Sequence, residues 1–325
     1  MKRRTLMTAT AGIGFFWPAL ARAQPPGARL VGFIGSGSAT IYAARIDALK
    51  STLREFRYIE GQNVTFEARF ADGAYDRLPQ LSQELVALRP DIIVAAATPA
   101  IQAAQRATSI VPIVMSPATD PVGSGFVKSL AHPGGNITGV ANMSPDLSAK
   151  SLQILHSIAP GRARVGVLMS NNTSHIIQLD AIGRIAAQLR VHIIQIKVNS
   201  PAELSNLPRL LVESNCDCVL VFNDPLMISS ASRIAQCVFD AKLPAVYQAK
   251  EHVQAGGLAS YGADLLALAR QAATYVGRIL RGARPADLPV EQPTKFELVI
   301  NMAAVRALGL EIPPTLLAVA DQIID

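Results

Sequence analysis

The chain has 325 residues, half of them apolar and 17% charged, with a formal net charge of +6. That length supports one large or two medium domains with real cores, and the balance excludes disordered, collagen-like and coiled-coil chains. Residues 1–23 hold Lys2, Arg3, Arg4 and Arg22 and no acid, so the remainder carries only +2; with no Lys/Arg cluster, a nucleic-acid partner is not indicated.

Residues 1–23 read as a signal peptide. Lys2, Arg3 and Arg4 form the basic start, residues 8–20 a short apolar run, and Ala21-Arg22-Ala23 a small-x-small cleavage pattern. This predicts removal before Gln24 and residence in the periplasm. The run falls short of the roughly 20 apolar residues that span a bilayer. Arg3-Arg4 also fits a twin-arginine signal, so the export route stays open.

From residue 30, apolar runs of strand length alternate with amphipathic helical stretches. Strands are predicted at 30–35, 64–70, 91–97 and 111–116, and helices at 42–56, 75–88 and 99–108. Continuous apolar strands joined by helices imply a parallel sheet covered on both faces. The pattern then restarts. RVGVLMS at 164–170 echoes RLVGFIGS at 29–36, and HIIQIKV at 192–198 echoes VTFEARF at 64–70. DCVLVFNDP at 217–225 echoes DIIVAAATP at 91–99, and LPAVYQ at 243–248 echoes VPIVMS at 111–116. Four elements recurring in order about 130 residues apart predict two lobes of like α/β topology rather than a solenoid.

The expected organisation is a signal peptide at 1–23, a first lobe of 28–140 plus 256–293, and a second lobe of 141–255 plus 294–325. Glycine pairs at Gly134-Gly135 and Gly256-Gly257 precede short apolar segments and are read as hinges, with a third crossing near 295–300. The cysteines, Cys216, Cys218 and Cys237, form neither a redox pair nor a zinc set. Cys218 begins an apolar run and reads as a core residue, with a disulfide to Cys237 as the alternative.

In a doubly wound sheet, ligands bind beyond the carboxyl ends of the strands. In the first lobe that rule selects Ser36, Ser38, Thr98, Thr119 and Asp120, and in the second Asn172, Asn223 and Asp224. Tyr247 and Tyr261 are added as rings that could stack on a ligand, with core packing as the alternative. Thr98-Pro99 and Asp224-Pro225 also suit helix N-caps, and Asp120 and Asp224 suit an ammonium group. Catalytic signatures are missing. Gly35-x-Gly37 has Thr40 where a dinucleotide fingerprint needs Gly or Ala. There is no G-x-x-x-x-G-K, G-x-S-x-G or H-E-x-x-H, and the five histidines show no metal-ligand spacing. Binding without a cofactor, metal or catalysis is therefore expected.

Four stretches carry a family resemblance: YIEGQNVTFEARFADGAYDRLPQLSQELV at 58–86, HPGGNITGV at 132–140, GGLASYG at 256–262, and YVGRILRGARPADLPVEQPTKFELVINMAAVRALGLEIPP at 275–314. The chain resembles the ABC-transporter substrate-binding proteins related to the tryptophan/tyrosine-binding group. The resemblance implies a type I periplasmic-binding fold, with Rossmann-like lobes joined by several hinge crossings. It implies a monomer that binds a small carboxylate or zwitterion, an aromatic amino acid among them, with a permease and an ATPase as partners. The loop SNNTSH at 170–175 departs from the Pro and Asn common in that family. A ligand-sensing module feeding a receptor and an exported nucleotide- or sugar-dependent enzyme are the competing classes.

Overall fold

The computed structural model describes residues 27–325; the signal-peptide expectation falls outside them. The first lobe begins with β1 (Arg29–Gly35), α1 (Ala39–Glu55), β2 (Val64–Phe70), α2 (Leu78–Ala87), β3 (Ile92–Ala96), α3 (Thr98–Ala107), β4 (Ile113–Ala118) and β5 (Ile137–Ala141). The second contains α4 (Ser144–Ile158), β6 (Arg164–Met169), α5 (Ser174–Leu189), β7 (His192–Lys197), α6 (Leu207–Ser214), β8 (Cys218–Val221), α7 (Pro225–Ser229), α8 (Ala231–Asp240), β9 (Ala245–Tyr247), α9 (Lys250–Gln254) and β10 (Ala259–Ala263). The chain closes with α10 (Leu265–Leu280), β11 (Phe296–Asn301), α11 (Met302–Ala307), α12 (Pro314–Ala318) and β12 (Gln322–Ile324).

The first sheet has the order β2-β1-β3-β4-β5 and is parallel throughout. The second has the order β12-β11-β10-β9-β8-β6-β7. Within it, β7-β6-β8-β9-β10 repeats the first sheet strand for strand, and only the β10–β11 pairing is antiparallel. The internal repeat therefore extends to a fifth strand, β5 matched by β10.

Each fifth strand hands the chain to the other lobe. After β5 the chain enters α4, which packs in the second-lobe core with Val165, Val167 and Leu220. After β10 it enters α10, whose Leu268, Ala272 and Val276 pack against Val31 and Val94 of the first sheet. This corrects two expectations. Residues 259–263 are a strand of the second sheet rather than part of the first lobe. The crossings lie at 142–143, at 264 and at 292–295, just past the two glycine pairs and before 296, because a parallel strand must be completed before its chain can leave the sheet.

The central strands of both sheets are buried on both faces. In the first, Val31 and Phe33 pack under α1 and α10, while Ile34, Ile93 and Ala95 pack under α2 and α3. Gly139 is required both by close approach and by its backbone conformation. Gly139 has φ +129°, and a Cβ there would lie 2.6 Å from the Met115 backbone on β4. Cys216, Cys218 and Cys237 are all free thiols; burial pushes the Cys218 thiol up to about 12.

Candidate functional site

The carboxyl ends of the two sheets face each other across a cleft. A small inner chamber of about 30 Å³ is lined from the first lobe by Tyr42, Arg45, Ala97, Thr98, Ser116, Pro117 and Thr119. Asn142 and Leu265 line it from the crossings, and Asn172, Asn223, Pro225 and Ile228 from the second lobe. An outer chamber of about 200 Å³ adjoins it through Arg45 and Leu265, and includes Gln248, Lys250, Glu251, Ser260, Asp264 and Glu297.

Local backbone geometry aims polar groups into the inner chamber. Ala97, the residue before α3, has φ +73° and ψ 153°, a conformation that costs a non-glycine residue about 1–3 kcal/mol. It turns the chain so that Thr98 opens the helix at the chamber wall, where its Oγ1 accepts a hydrogen bond from Thr119 N at 3.4 Å. Ser36 lies behind this wall rather than in it. Its Oγ takes the Ala100 amide at 3.1 Å, so it serves as an internal cap for α3.

Asp224 is the hub of the second lobe's rim. It is fully buried and caps α7 by accepting Leu226 N at 2.9 Å on Oδ1. The same oxygen accepts the phenol of Tyr75 at 2.6 Å, from the loop after β2 in the opposite lobe. Oδ2 accepts Ser170 Oγ at 2.9 Å and Asn172 Nδ2 at 3.1 Å. His175 stands behind it. Its Nδ1 accepts Ser170 N at 3.1 Å, so the tautomer that fits this network carries its proton on Nε2, 3.5 Å from Oδ2. Burial, and then the charge of Asp224, hold the Tyr75 phenol well above its ordinary pKa. The lobes are therefore held together here by a charge-assisted bond. Gly37 and Gly73 of the first lobe also approach Pro225 and Leu226 closely.

Asn223 is oriented from beneath. Its N–H donates to Gln248 Oε1 at 2.7 Å, and Gln248 Nε2 donates to Ser148 Oγ at 2.7 Å. Ser148 Oγ donates in turn to Gln178 Oε1 at 2.8 Å. In the outer chamber Lys250 pairs with Glu297 at 2.8 Å, and Asp264 Oδ1 accepts the Leu266 and Ala267 amides at the start of α10. Arg45 meets Glu251 across the lobes at 3.7 Å.

Of the residues expected from the sequence, Thr98, Thr119, Asn172 and Asn223 line the inner chamber. Asp224 lies directly behind Asn172. Ser38 precedes α1 without a side-chain capping bond, and Asp120 turns back to accept Gly123 N at 2.9 Å; neither lines a chamber. Tyr247 is buried in the second lobe, stacked on His252 with ring centroids 4.7 Å apart. Tyr261 packs on Phe296, because its neighbours Ser260 and Gly262 take the cleft-facing side of β10. Sequence reasoning missed Tyr42, Arg45, Tyr75 and Asn142. Asn142 follows the fifth strand and Tyr75 the loop after β2, so the strand-end rule reaches both once those strands are placed. Tyr42 and Arg45 share a helix face by their i, i+3 spacing, but nothing local says that the face meets the second lobe.

Residues 38–324 match the family model described as ABC transporter substrate binding protein. The tyrosine-binding protein of Clostridioides difficile (strain R20291) is 29% identical over 263 residues, covering 80% of this chain and 74% of that protein. Among solved structures, an ABC domain from Streptococcus pneumonia in complex with L-Trp is 28% identical with a TM-score of 0.83, over 91% of this chain and 100% of that one. A conserved domain protein from Vibrio cholerae is also 28% identical, with a TM-score of 0.84 over 91% of this chain and 99% of that one.

Proposed function

Because the chain belongs to the family of ABC transporter substrate-binding proteins, we propose that it captures one small organic molecule between its lobes and delivers it to a membrane permease driven by an ATPase. The observation that carries this reading is the closed polar cleft, in which Tyr75 of one lobe bonds Asp224 of the other beside a lined chamber. Thr98, Thr119, Asn172 and Asn223 are the expected ligand contacts, joined by Tyr42, Arg45 and Asn142. Substrate-binding proteins of this kind are typically extracytoplasmic. Among the described residues no helix is long and apolar enough to cross a membrane. Export by residues 1–23, with cleavage before Gln24, completes the reading; the intact mass of protein recovered from the periplasm tests it.

The relatives suggest the ligand class. One is a tyrosine-binding protein and another was solved with L-Trp, so an aromatic amino acid or another small carboxylate heads the candidates. The expected activity is binding without turnover. A thermal-shift screen of the processed protein against amino acids, organic acids and sugars tests the whole reading. A ligand at 100 times its Kd adds about 2.7 kcal/mol to stability, a shift of several degrees. No shift from any compound class would refute it. Trp17 is the only tryptophan, so the processed chain has none and added L-tryptophan can be followed by its own emission.

A further inference from the structure

Two observations set the charge that the cleft can accept. The first is that Asp224 has no capacity left. Both of its oxygens hold two donors each, one of them from the opposite lobe. A carboxylate has about four lone-pair positions, so a ligand ammonium would have to displace Tyr75, Ser170, Asn172 or the α7 cap. Among the described residues no acid lines the inner chamber itself. The acids of the outer chamber also have partners: Glu297 has Lys250, Asp264 has the amides of α10, and Glu251 faces Arg45.

The second observation is Arg45. Its side chain is only 12% exposed, yet among the described residues its sole ionic neighbour is Glu251 at 3.7 Å, beyond hydrogen-bond range. Its guanidinium carbon lies 5.4 Å from the centre of the Tyr42 ring, a cation–π contact that takes none of its N–H donors into a hydrogen bond. Removing a guanidinium from water without hydrogen bonds is unfavourable. Its planar fork of donors matches a carboxylate through two parallel bonds. Arg45 is the one charged residue lining the inner chamber and also lines the outer one.

The geometry points to Arg45 as the residue that reads a ligand carboxylate, and to organic acids that need no ammonium group as the ligand class; this rests on the solute-binding reading above. Asp224 is then a positioning residue that holds Asn172 and the closed lobes. Glu251, at 3.7 Å and without a hydrogen bond, keeps its ion pair while leaving the N–H donors of Arg45 to the ligand.

The test is calorimetric titration of the processed protein with matched probes. Aromatic and aliphatic carbon skeletons are each presented as the simple carboxylate, the 2-amino acid and the amine, with neutral sugars alongside. The expected result is that a carboxylate binds at least as well as its amino acid, and that the amine does not bind. Arg45→Gln should then weaken the carboxylate at least tenfold, with Arg45→Lys intermediate because it keeps charge but loses the fork. Circular dichroism and melting confirm that both variants remain folded. An amino acid preferred tenfold over its deaminated acid overturns the inference, as does amine binding, sugar-only binding, or an Arg45→Gln variant with wild-type affinity. Each of those outcomes leaves solute binding intact. Silence from every probe refutes the solute-binding reading and this inference with it.

Discussion

Replacing Tyr75 by phenylalanine removes one hydroxyl and keeps the ring, which packs against the cluster of Leu78 and Ile101. The lost bond is 2.6 Å long, ends on a carboxylate and joins the two lobes, so it stabilises the closed arrangement alone. Hydrogen bonds to charged groups contribute roughly 1.5–3 kcal/mol, which corresponds to about a 10- to 150-fold shift toward open lobes. Where the empty protein is mostly open, apparent Kd rises by that factor, because only the closed fraction grips the ligand. Where the empty protein is mostly closed, the shift appears instead as a larger radius of gyration. Calorimetry with the tightest ligand of the screen, together with small-angle scattering of the empty protein, measures both. Asp224 keeps its bonds to Leu226 N, Ser170 and Asn172, so melting should stay close to wild type. Affinity within twofold of wild type together with unchanged scattering would refute the reasoning that this bond latches the lobes.

Three further outcomes are expected. Asp224→Ala removes an α7 cap, at about 1 kcal/mol, and strands the buried donors of Ser170 and Asn172 at about 1–3 kcal/mol each. Denaturant unfolding should therefore show a loss of about 3–7 kcal/mol, and a loss below about 1 kcal/mol would contradict the hub role. Ala97→Gly relieves the strained backbone before α3, about 1–3 kcal/mol, against roughly 0.5–1 kcal/mol of added chain entropy in the unfolded state; a net gain of about 1 kcal/mol in unfolding is expected, and destabilisation would count against strain there. Burial lowers the His252 pKa to about 4 from the ordinary 6.5, so the unfolded chain takes up a proton that the fold refuses. The stabilisation is complete above pH 6.5 and is lost progressively as pH falls toward 4, by roughly 3 kcal/mol at about 1.4 kcal/mol per unit. His252→Gln should flatten that part of the melting profile between pH 7 and 4.5, and an equally steep profile would exclude His252 as its source.

Local sequence determines the two lobes, because a parallel strand buried on both faces needs a continuous apolar run and its helix needs a 3.6-residue stripe. Those patterns made the twofold repeat of four elements, the βα order and the strand ends readable, and with them Thr98, Thr119, Asn172 and Asn223 as cleft-lining residues. The fifth strand was harder to place. β5 and β10 are followed by helices that pack on the other lobe, so their helix partners lie far away in sequence, and residues 256–263 were assigned to the wrong sheet.

The rest was decided only by tertiary structure. Tyr247 ends β9 and Tyr261 lies in the middle of β10, and the faces on which their side chains pack follow from the sheet's placement against its helices. Asp224 reads in sequence as a cap or an ammonium partner. Its actual state depends on Tyr75, 149 residues away, and on Ser170 and Asn172, more than 50 away. No local pattern encodes such partners, because a carboxylate's hydrogen-bonding capacity is filled by whatever the closed lobes bring to it. Arg45 is the converse case. It is an ordinary helical arginine in the sequence, and only the closed second lobe makes it a half-buried guanidinium without hydrogen bonds among the described residues.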